Sequence, residues 1–267
     1  MRLVLLRKMR LIDSHTHIFA EEFDYDRSEA IQRAKDAGVV AMVMPNINSQ
    51  SVDSLLSVAQ QYPDYCFPCM GVHPTSVKNN FDDELASVQS WFAKAKFYAV
   101  GEIGIDLYWD KTFVEQQKEV FRQQLKMAKK FRLPVIIHAR NSFHEIFKIV
   151  DQENDEDLGG VFHSFSGSLT DYEHIASYGK FLVGIGGVVT YKNGGVDKVV
   201  QHMNLGNVIL ETDSPYLSPV PQRGRRNESA NLVYIASRIA EIKGISVQEV
   251  ASVTTANATK LFSLSNL

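Results

Sequence analysis

Short apolar runs alternate along the chain with longer stretches in which apolar positions recur every three or four residues. The short runs indicate buried parallel strands, and the longer stretches indicate amphipathic helices. The predicted strands are 11–12, 39–44, 66–71, 97–100, 134–137, 160–162, 181–184 and 208–210. The predicted helices between them include 28–37, 51–61, 82–95 and 112–131. Eight uninterrupted strand and helix units favour a closed α/β fold, the (β/α)8 TIM barrel, over an open sheet.

No Pro/Gly-rich linker, low-complexity stretch or change of composition divides the chain. We therefore expect a single domain over residues 11–267, with residues 1–10 as an N-terminal extension or a lead-in to the first strand. The sequence leaves open whether residues 1–8 are translated in the native protein. The segment after Ile245 predicts one or two extra C-terminal helices packed outside the barrel.

The charge balance excludes a surface coated in positive charge, because 28 basic and 31 acidic residues give a formal charge of −3. A local basic patch stays compatible with this balance. Cys66 and Cys69 are too few for a disulfide framework, and three-residue spacing in a strand predicts thiols packed on opposite sides. No apolar run reaches the roughly 18 residues of a membrane span. These features predict a cytoplasmic protein without a membrane partner.

Reactive side chains follow the predicted strands, where a barrel of this kind builds its active site. They are His15 and His17 after the first strand, His73 after the third, Glu102 after the fourth, His138 and Arg140 after the fifth, His163 after the sixth, and Glu211 and Asp213 after the eighth. His15 and His17 stand two apart, so an extended chain directs both side chains to one face. Desolvating so many polar groups at one end is costly unless a cation satisfies them, which predicts a metal site.

Imidazole and carboxylate ligands suit a divalent transition metal better than calcium. One tetrahedral zinc ion takes three or four protein ligands, and this set offers more. The surplus predicts two divalent metal ions, with zinc, manganese or magnesium as candidates. Glu102 is the expected bridge between them, and Glu211 is expected to orient a ligand.

Seven motifs carry a resemblance to a known family. They are DSHTH at 13–17, GVHP at 71–74, GEIGID at 101–106, HAR at 138–140, HSFSG at 163–167, ETDSPYL at 211–217 and RGRRNE at 223–228. In this order they resemble the TatD family of metal-dependent hydrolases over nearly the whole chain. The resemblance implies an amidohydrolase-type barrel, a divalent-metal site and deoxyribonuclease activity, often as a 3′ exonuclease.

The resemblance also implies roles for individual residues. The implied metal ligands are His15, His17, Glu102, His138, His163 and Asp213. Glu102 and Asp213 are the expected catalytic residues, and Asp13 and Glu211 are expected to support the ligands from behind. The residues expected to contact substrate phosphates are His73, Arg140, Arg223, Arg225 and Arg226.

The hypothesis that follows is hydrolysis of DNA phosphodiester bonds, with RNA as a further substrate, by water activated between two cations. Tyr108, Trp109 and Tyr216 are expected to stack bases of a single strand or an end. Three alternatives remain open: hydrolysis of a small amide or ester, cleavage of an aminoacyl-tRNA ester, and a non-catalytic metal-binding barrel. Protein partners, oligomeric state, physiological pathway and the polarity of digestion are not determined by the sequence.

Overall fold

A computed structural model describes residues 9–264 as a ring of parallel strands surrounded by helices. The strands are β1 (Leu11–Asp13), β2 (Val39–Pro45), β3 (Cys66–Cys69), β4 (Val100–Asp106), β5 (Val135–Arg140), β6 (Gly160–Phe162), β7 (Phe181–Ile185) and β8 (Val208–Leu210). The α-helices are α1 (Arg27–Asp36), α2 (Val52–Gln61), α3 (Phe81–Trp91), α4 (Val114–Phe131), α5 (Phe143–Glu153), α6 (Leu169–Ser177), α7 (Val196–His202), α8 (Leu232–Lys243) and α9 (Val247–Leu261). The predicted (β/α)8 architecture is confirmed. Residues 1–8 of the proposed extension 1–10 lie outside the described residues.

Two short bridges close the ring. Strands β1 to β3 pair in sequence order, as do β4 to β8. Met70 bridges to Val100 between β3 and β4, and Thr16 bridges to Ser214 just beyond β1 and β8. The amide of Ser14 also donates to the carbonyl of Leu210 at 3.0 Å. The carboxyl ends of all eight strands therefore surround one opening.

Period-two alternation separates two apolar layers. Ala41 and Val43 belong to a cluster inside the barrel, whereas Met42 and Met44 pack between strands and helices. Cys69 lies in the inner cluster and Cys66 in the outer one, as their spacing predicts. Burial raises the pKa of the Cys66 thiol to about 12, so it stays protonated.

The C-terminal helix α9 adjoins the amino ends of the strands. The Thr255 hydroxyl donates to the carbonyl of Arg10 before β1, and the Asn257 amide donates to the carbonyl of Val208 at the start of β8. Phe262, which directly follows α9, is 1% exposed and belongs to the inner cluster. The extra helix is confirmed, but the prediction that it packs only outside the barrel was wrong, because the end of this segment covers the inner core.

The predicted bounds of β4 and β5 were also wrong by three residues or more. Strand β4 begins at Val100, where the sequence analysis ended it, and β5 continues to Arg140. Glu102 and His138 therefore lie within strands. Gly104, with φ of +141°, explains part of the error, because a β-carbon there would collide with the His138 carbonyl. No helix of residues 9–264 is long and apolar enough to cross a membrane.

Candidate active site

The inner faces of the strands change character toward their carboxyl ends. Ile136 and Val161 belong to the apolar inner cluster, and two residues further along the same strands stand His138 and His163. Because side chains alternate along a strand, both histidines continue the inward-facing row. The apolar barrel interior thus supports a polar layer at the open end.

Glu102 lies at the centre of this layer and uses its two oxygens differently. Its Oε2 lies 3.1 Å from Nε2 of His15 and 3.6 Å from Nε2 of His17. Its Oε1 lies 2.7 Å from Nε2 of His163 and 2.9 Å from Nδ1 of His138. One buried carboxylate therefore faces two separate sets of imidazole nitrogens.

Asp213 completes the set on the side of β1. Its Oδ1 lies 3.6 Å from Nε2 of both His15 and His17, and these two nitrogens are 3.2 Å apart. Ligand atoms of His15, His17 and Asp213 all lie within 4.8 Å of one another, as do those of His15, Glu102 and His163. The predicted ligands thus converge.

Hydrogen bonds between the ends of β1 and β8 hold this arrangement. The Asp13 carboxylate accepts from the Thr212 amide at 2.9 Å and from the Thr212 hydroxyl at 2.6 Å. The Asp213 amide donates to the carbonyl of His15 at 2.9 Å. Complete burial raises the pKa of Asp13 to about 7. Asp13 therefore positions both flanks of the site without entering it.

The electrostatics of the layer match a binding site for cations. Burial alone would raise the pKa of Glu102, but His163, His73 and His15 hold it well below its usual range. Burial also lowers the pKa of His15 and keeps it neutral. Despite burial, contacts with Glu102 raise the pKa of His163, and contacts with Asp106 and Glu102 raise that of His138, so a cation would replace protons at these two rings. A buried carboxylate surrounded by imidazole nitrogens is the donor set of a divalent transition metal.

His73 lies beside this set, but its ring is oriented as a hydrogen-bond donor. Burial keeps the ring neutral by lowering its pKa, and its Nδ1 accepts from the Thr75 amide at 3.2 Å. With Nδ1 accepting from the Thr75 amide, a neutral ring carries its proton on Nε2, which lies 3.2 Å from Oε1 of Glu102. His73 Nε2 is thus a donor toward the site, although a ligand triad of His73, Glu102 and His138 is sterically possible.

A cavity of about 580 Å³ opens over these groups. Its lining includes His17, Glu102, His138, His163 and Asp213, together with His73 and Arg140. Trp109 lines one side and Tyr216 also faces the cavity; they are 68% and 51% exposed. The opening therefore combines a polar floor with an aromatic rim.

Residues 12–263 match the family described as TatD related DNase. The chain belongs to the TatD family. A Bacillus subtilis protein, YabD, named an uncharacterized metal-dependent hydrolase, is 37% identical over 94% of this chain and 98% of its own. An Erwinia tasmaniensis protein named 3′-5′ ssDNA/RNA exonuclease TatD is 30% identical over 95% of this chain and 100% of its own. The crystal structure of the Escherichia coli TatD homologue YjjV superposes with a TM-score of 0.89 at 30% identity, covering 96% of this chain and 98% of that one. The predicted family and its class, the metal-dependent hydrolases, are confirmed.

The arginine loop of this TatD protein is placed differently from the sequence prediction. Arg226 forms a two-pronged ion pair with Asp26, at 2.6 and 2.8 Å, and its guanidinium lies over the ring of Phe23. Arg223 lies over the ring of Tyr191, and Arg225 is exposed. Neither these three arginines nor their contacts line the cavity over the described site. The guanidinium of Arg226 is therefore occupied by Asp26 and holds the loop against the start of α1, where the sequence predicted a contact with substrate phosphate.

Glu211 and Asn227 form hydrogen bonds to the segments that follow β6 and β8 beside the site. Glu211 Oε1 lies 3.7 Å from Nδ1 of His163 and accepts a hydrogen bond from the amide of Ser164. Asn227 donates to the carbonyls of Thr212 and Tyr216 at 2.8 and 2.7 Å. The sequence analysis gave Asn227 no role, since an asparagine in a polar loop carries no signal of burial.

Asp106 is a further buried acid to which sequence reasoning gave no role. Its Oδ2 accepts from Nε2 of His138 at 2.9 Å. Burial opposes its ionisation, but the hydrogen bonds from His138 and from the Trp109 and Tyr108 amides lower the pKa of Asp106 to about 2. A signal was available, because Asp106 stands four residues after Glu102 and therefore on the same strand face.

Proposed function

We propose that this protein hydrolyses phosphodiester bonds of DNA with the help of divalent metal ions, removing nucleotides from the 3′ ends of single strands. The observation that carries the proposal is the position of Glu102, whose two oxygens face two separate sets of imidazole nitrogens. The Erwinia relative, named a 3′-5′ ssDNA/RNA exonuclease, supports both the single strand and the direction, and supports RNA as a second substrate.

We assign two cations to this layer. His15, His17 and Asp213 would hold the first and His138 and His163 the second. Glu102 would bridge the two cations, because each of its oxygens faces one set. His73 stays outside the ligand set, since its Nε2 carries the ring proton. A donor set this rich in imidazole favours zinc or manganese over magnesium.

When bound, the metal ions supply a lowered pKa for attacking water and neutralise charge on the phosphate oxygens. Asp213 stays ionised, because contacts with His17, His15 and His163 lower its pKa despite burial. It lines the cavity and can therefore accept the proton of the attacking water. The Nε2–H of His73 and the guanidinium of Arg140 reach the same cavity and would hold phosphate oxygens.

The shape of the opening favours a flexible strand. Among the described residues that line the cavity, Arg140 is the one arginine or lysine, and the chain has a net charge of −3. Electrostatic attraction to the phosphates of a rigid duplex is therefore weak. Exposed aromatic rings at Trp109 and Tyr216 can stack unpaired bases. A single strand presents such bases at no cost of unpairing.

The decisive experiment combines elemental analysis of the purified protein with digestion of fluorescent DNA. We expect two metal equivalents per chain and loss of nucleotides from single strands with a free 3′ end. Circular strands and strands with a blocked 3′ end should resist. His15→Ala and Glu102→Ala should lose metal and activity while keeping the circular dichroism of the fold, and His144→Ala, at an exposed position on α5, serves as the matched control.

Each alternative predicts a different result. A hydrolase of small esters or amides would cleave such compounds and leave every oligonucleotide intact, and an aminoacyl-tRNA esterase would act only on charged tRNA. A metal-binding barrel without catalysis would contain stoichiometric metal and release no nucleotide with any cation. Degradation of circular strands would overturn the exonuclease assignment and leave an endonuclease in its place.

A further inference from the structure

Asp106 forms hydrogen bonds to two parts of the site, the ring of His138 and the loop that follows β4. One oxygen, Oδ2, accepts from Nε2 of His138 at 2.9 Å. The other, Oδ1, accepts from the backbone amides of Tyr108 and Trp109 at 2.9 and 3.1 Å. The side chain is 1% exposed, and its own amide is held at 2.9 Å by the buried Gln117. Asp106 is thus a fixed acceptor with donors on both sides.

The loop that Asp106 caps carries a stack of flat side chains. The guanidinium of Arg140 lies 3.9 Å from the ring centroid of Tyr108 and 5.2 Å from that of Trp109. Arg140 is also two residues beyond His138 on β5, and its carbonyl accepts from the amide of Leu107 at 2.9 Å. We call Tyr108, Trp109 and Arg140 the aromatic platform. Its cation and its exposed ring match the planar face of a nucleobase.

The hydrogen bond to Asp106 also selects which nitrogen of His138 can bind a cation. A carboxylate facing Nε2 keeps the proton there, so the lone pair is left on Nδ1. That Nδ1 lies 2.9 Å from Oε1 of Glu102, inside the proposed metal layer. The orientation of His138 and the position of the aromatic platform therefore depend on the same carboxylate.

We propose that Asp106 is a positioning residue that couples the metal layer to a nucleobase subsite on the aromatic platform. The inference rests on the proposed function for the nature of the ligand. Asp106 fixes His138 for metal binding through Nδ1 and sets the distance from the metal layer to Trp109. The base next to the reacting phosphate stacks on Trp109 and Arg140.

The Asp106→Asn variant distinguishes a role in hydrogen bonding from a role that depends only on side-chain volume. Asparagine has the same shape, but only one acceptor oxygen for donors on two sides. If Asp106→Asn loses the hydrogen bond to His138, metal affinity falls about 10- to 100-fold. If it loses the hydrogen bonds to the Tyr108 and Trp109 amides, the loop that carries Trp109 is released. Trp109→Leu raises KM for an oligonucleotide at least fivefold and leaves metal affinity within twofold of the parent.

Fluorescence reports the coupling directly. The chain has two tryptophans, so Trp91→Phe leaves Trp109 as the only one and is also the matched control for Trp109→Leu. Titration of this variant with Zn²⁺ changes Trp109 emission. The change is lost, or its midpoint moves at least tenfold, when Asp106→Asn is added. A Zn²⁺ response and metal affinity within threefold of the parent in the double variant would overturn the proposal.

A measurement on the unmodified chain covers the case in which the Asp106 variant does not fold. In ¹⁵N-histidine spectra of the zinc-loaded protein, His138 is expected to show a protonated Nε2 and a metal-bound Nδ1. A metal-bound Nε2 would overturn the inference. If the wild-type protein cleaves no oligonucleotide, the proposed function fails, while the zinc response of Trp109 still decides the role of Asp106.

Discussion

The two ends of the barrel are built from the same alternating strands and have opposite chemistry. Toward the amino end, Ile12, Ala41 and Ile209 belong to an inner apolar cluster that also contains Phe262. At the carboxyl end the inward row continues as histidines and acids, and the buried Glu102 contacts five histidines. The backbone pattern is common to both ends, so the difference comes from side chains alone.

The comparison teaches where this protein gains stability and where it gives stability up. Burying apolar side chains at the amino end favours folding. Burying ionisable groups at the carboxyl end opposes it unless a ligand satisfies them. Changes at the amino end should therefore alter the free energy of unfolding, and changes at the carboxyl end should alter activity.

The largest effect is expected at the carboxyl end. Glu102→Gln removes the charge that faces both sets of imidazole nitrogens, and we expect nuclease activity to fall about 10³-fold or more. Glu145→Gln, on the surface of α5 and paired with Lys118, is the matched control and should stay within twofold of the parent. Activity of the Glu102 variant within tenfold of the parent would remove Glu102 from the catalytic set.

At the amino end we expect the reverse result. Phe262→Ala leaves a cavity under the strands, and the free energy of unfolding should fall by about 3–5 kcal/mol. Activity per folded molecule should stay within twofold, because the site lies at the opposite end. Urea unfolding followed by circular dichroism measures the loss, and Tyr25→Ala, at a fully solvated ring, should cost less than about 0.5 kcal/mol. A comparable loss at Tyr25 would contradict the contrast between the ends.

The smallest effect tests the arginine loop, which joins the carboxyl end to α1. Arg226→Ala should lower the free energy of unfolding by about 1 kcal/mol at pH 7, because the pair with Asp26 is partly exposed. Arg226, together with Arg33, lowers the pKa of Asp26 to about 2, so the contribution of the Arg226 pair is present above about pH 4 and disappears as the pH falls toward 2. Arg225→Ala, at an exposed position, is the control.

Acid unfolding curves of the parent and the Arg226 variant should therefore converge between pH 4 and pH 2. A stability difference that is constant over this range would show that the loss at Arg226 comes from its other contacts, the packing on Phe23 and the hydrogen bond to the Glu22 carbonyl.

The largest errors in the predicted strand bounds share one physical cause. Apolar runs locate strands whose faces are both buried in apolar surroundings, and β6 and β8 were predicted with their observed bounds. The apolar pattern of strand β4 is weak because its inward face carries Glu102, Gly104 and Asp106. A strand whose inward face carries the residues of a site lacks the run of apolar residues by which strands are recognised in a sequence.

The sequence by itself determined the order of strands and helices, the family, and which histidines and acids follow or end the strands. These properties depend on periodicity and motif spacing, which are local along the chain. Only the tertiary structure decided that Arg226 pairs with Asp26, that Nδ1 of His73 contacts the Thr75 amide, and that Asp106 contacts both His138 and the Trp109 amide. The reason is that hydrogen-bond partners are selected by distances between segments far apart in the chain, and no local pattern records those distances.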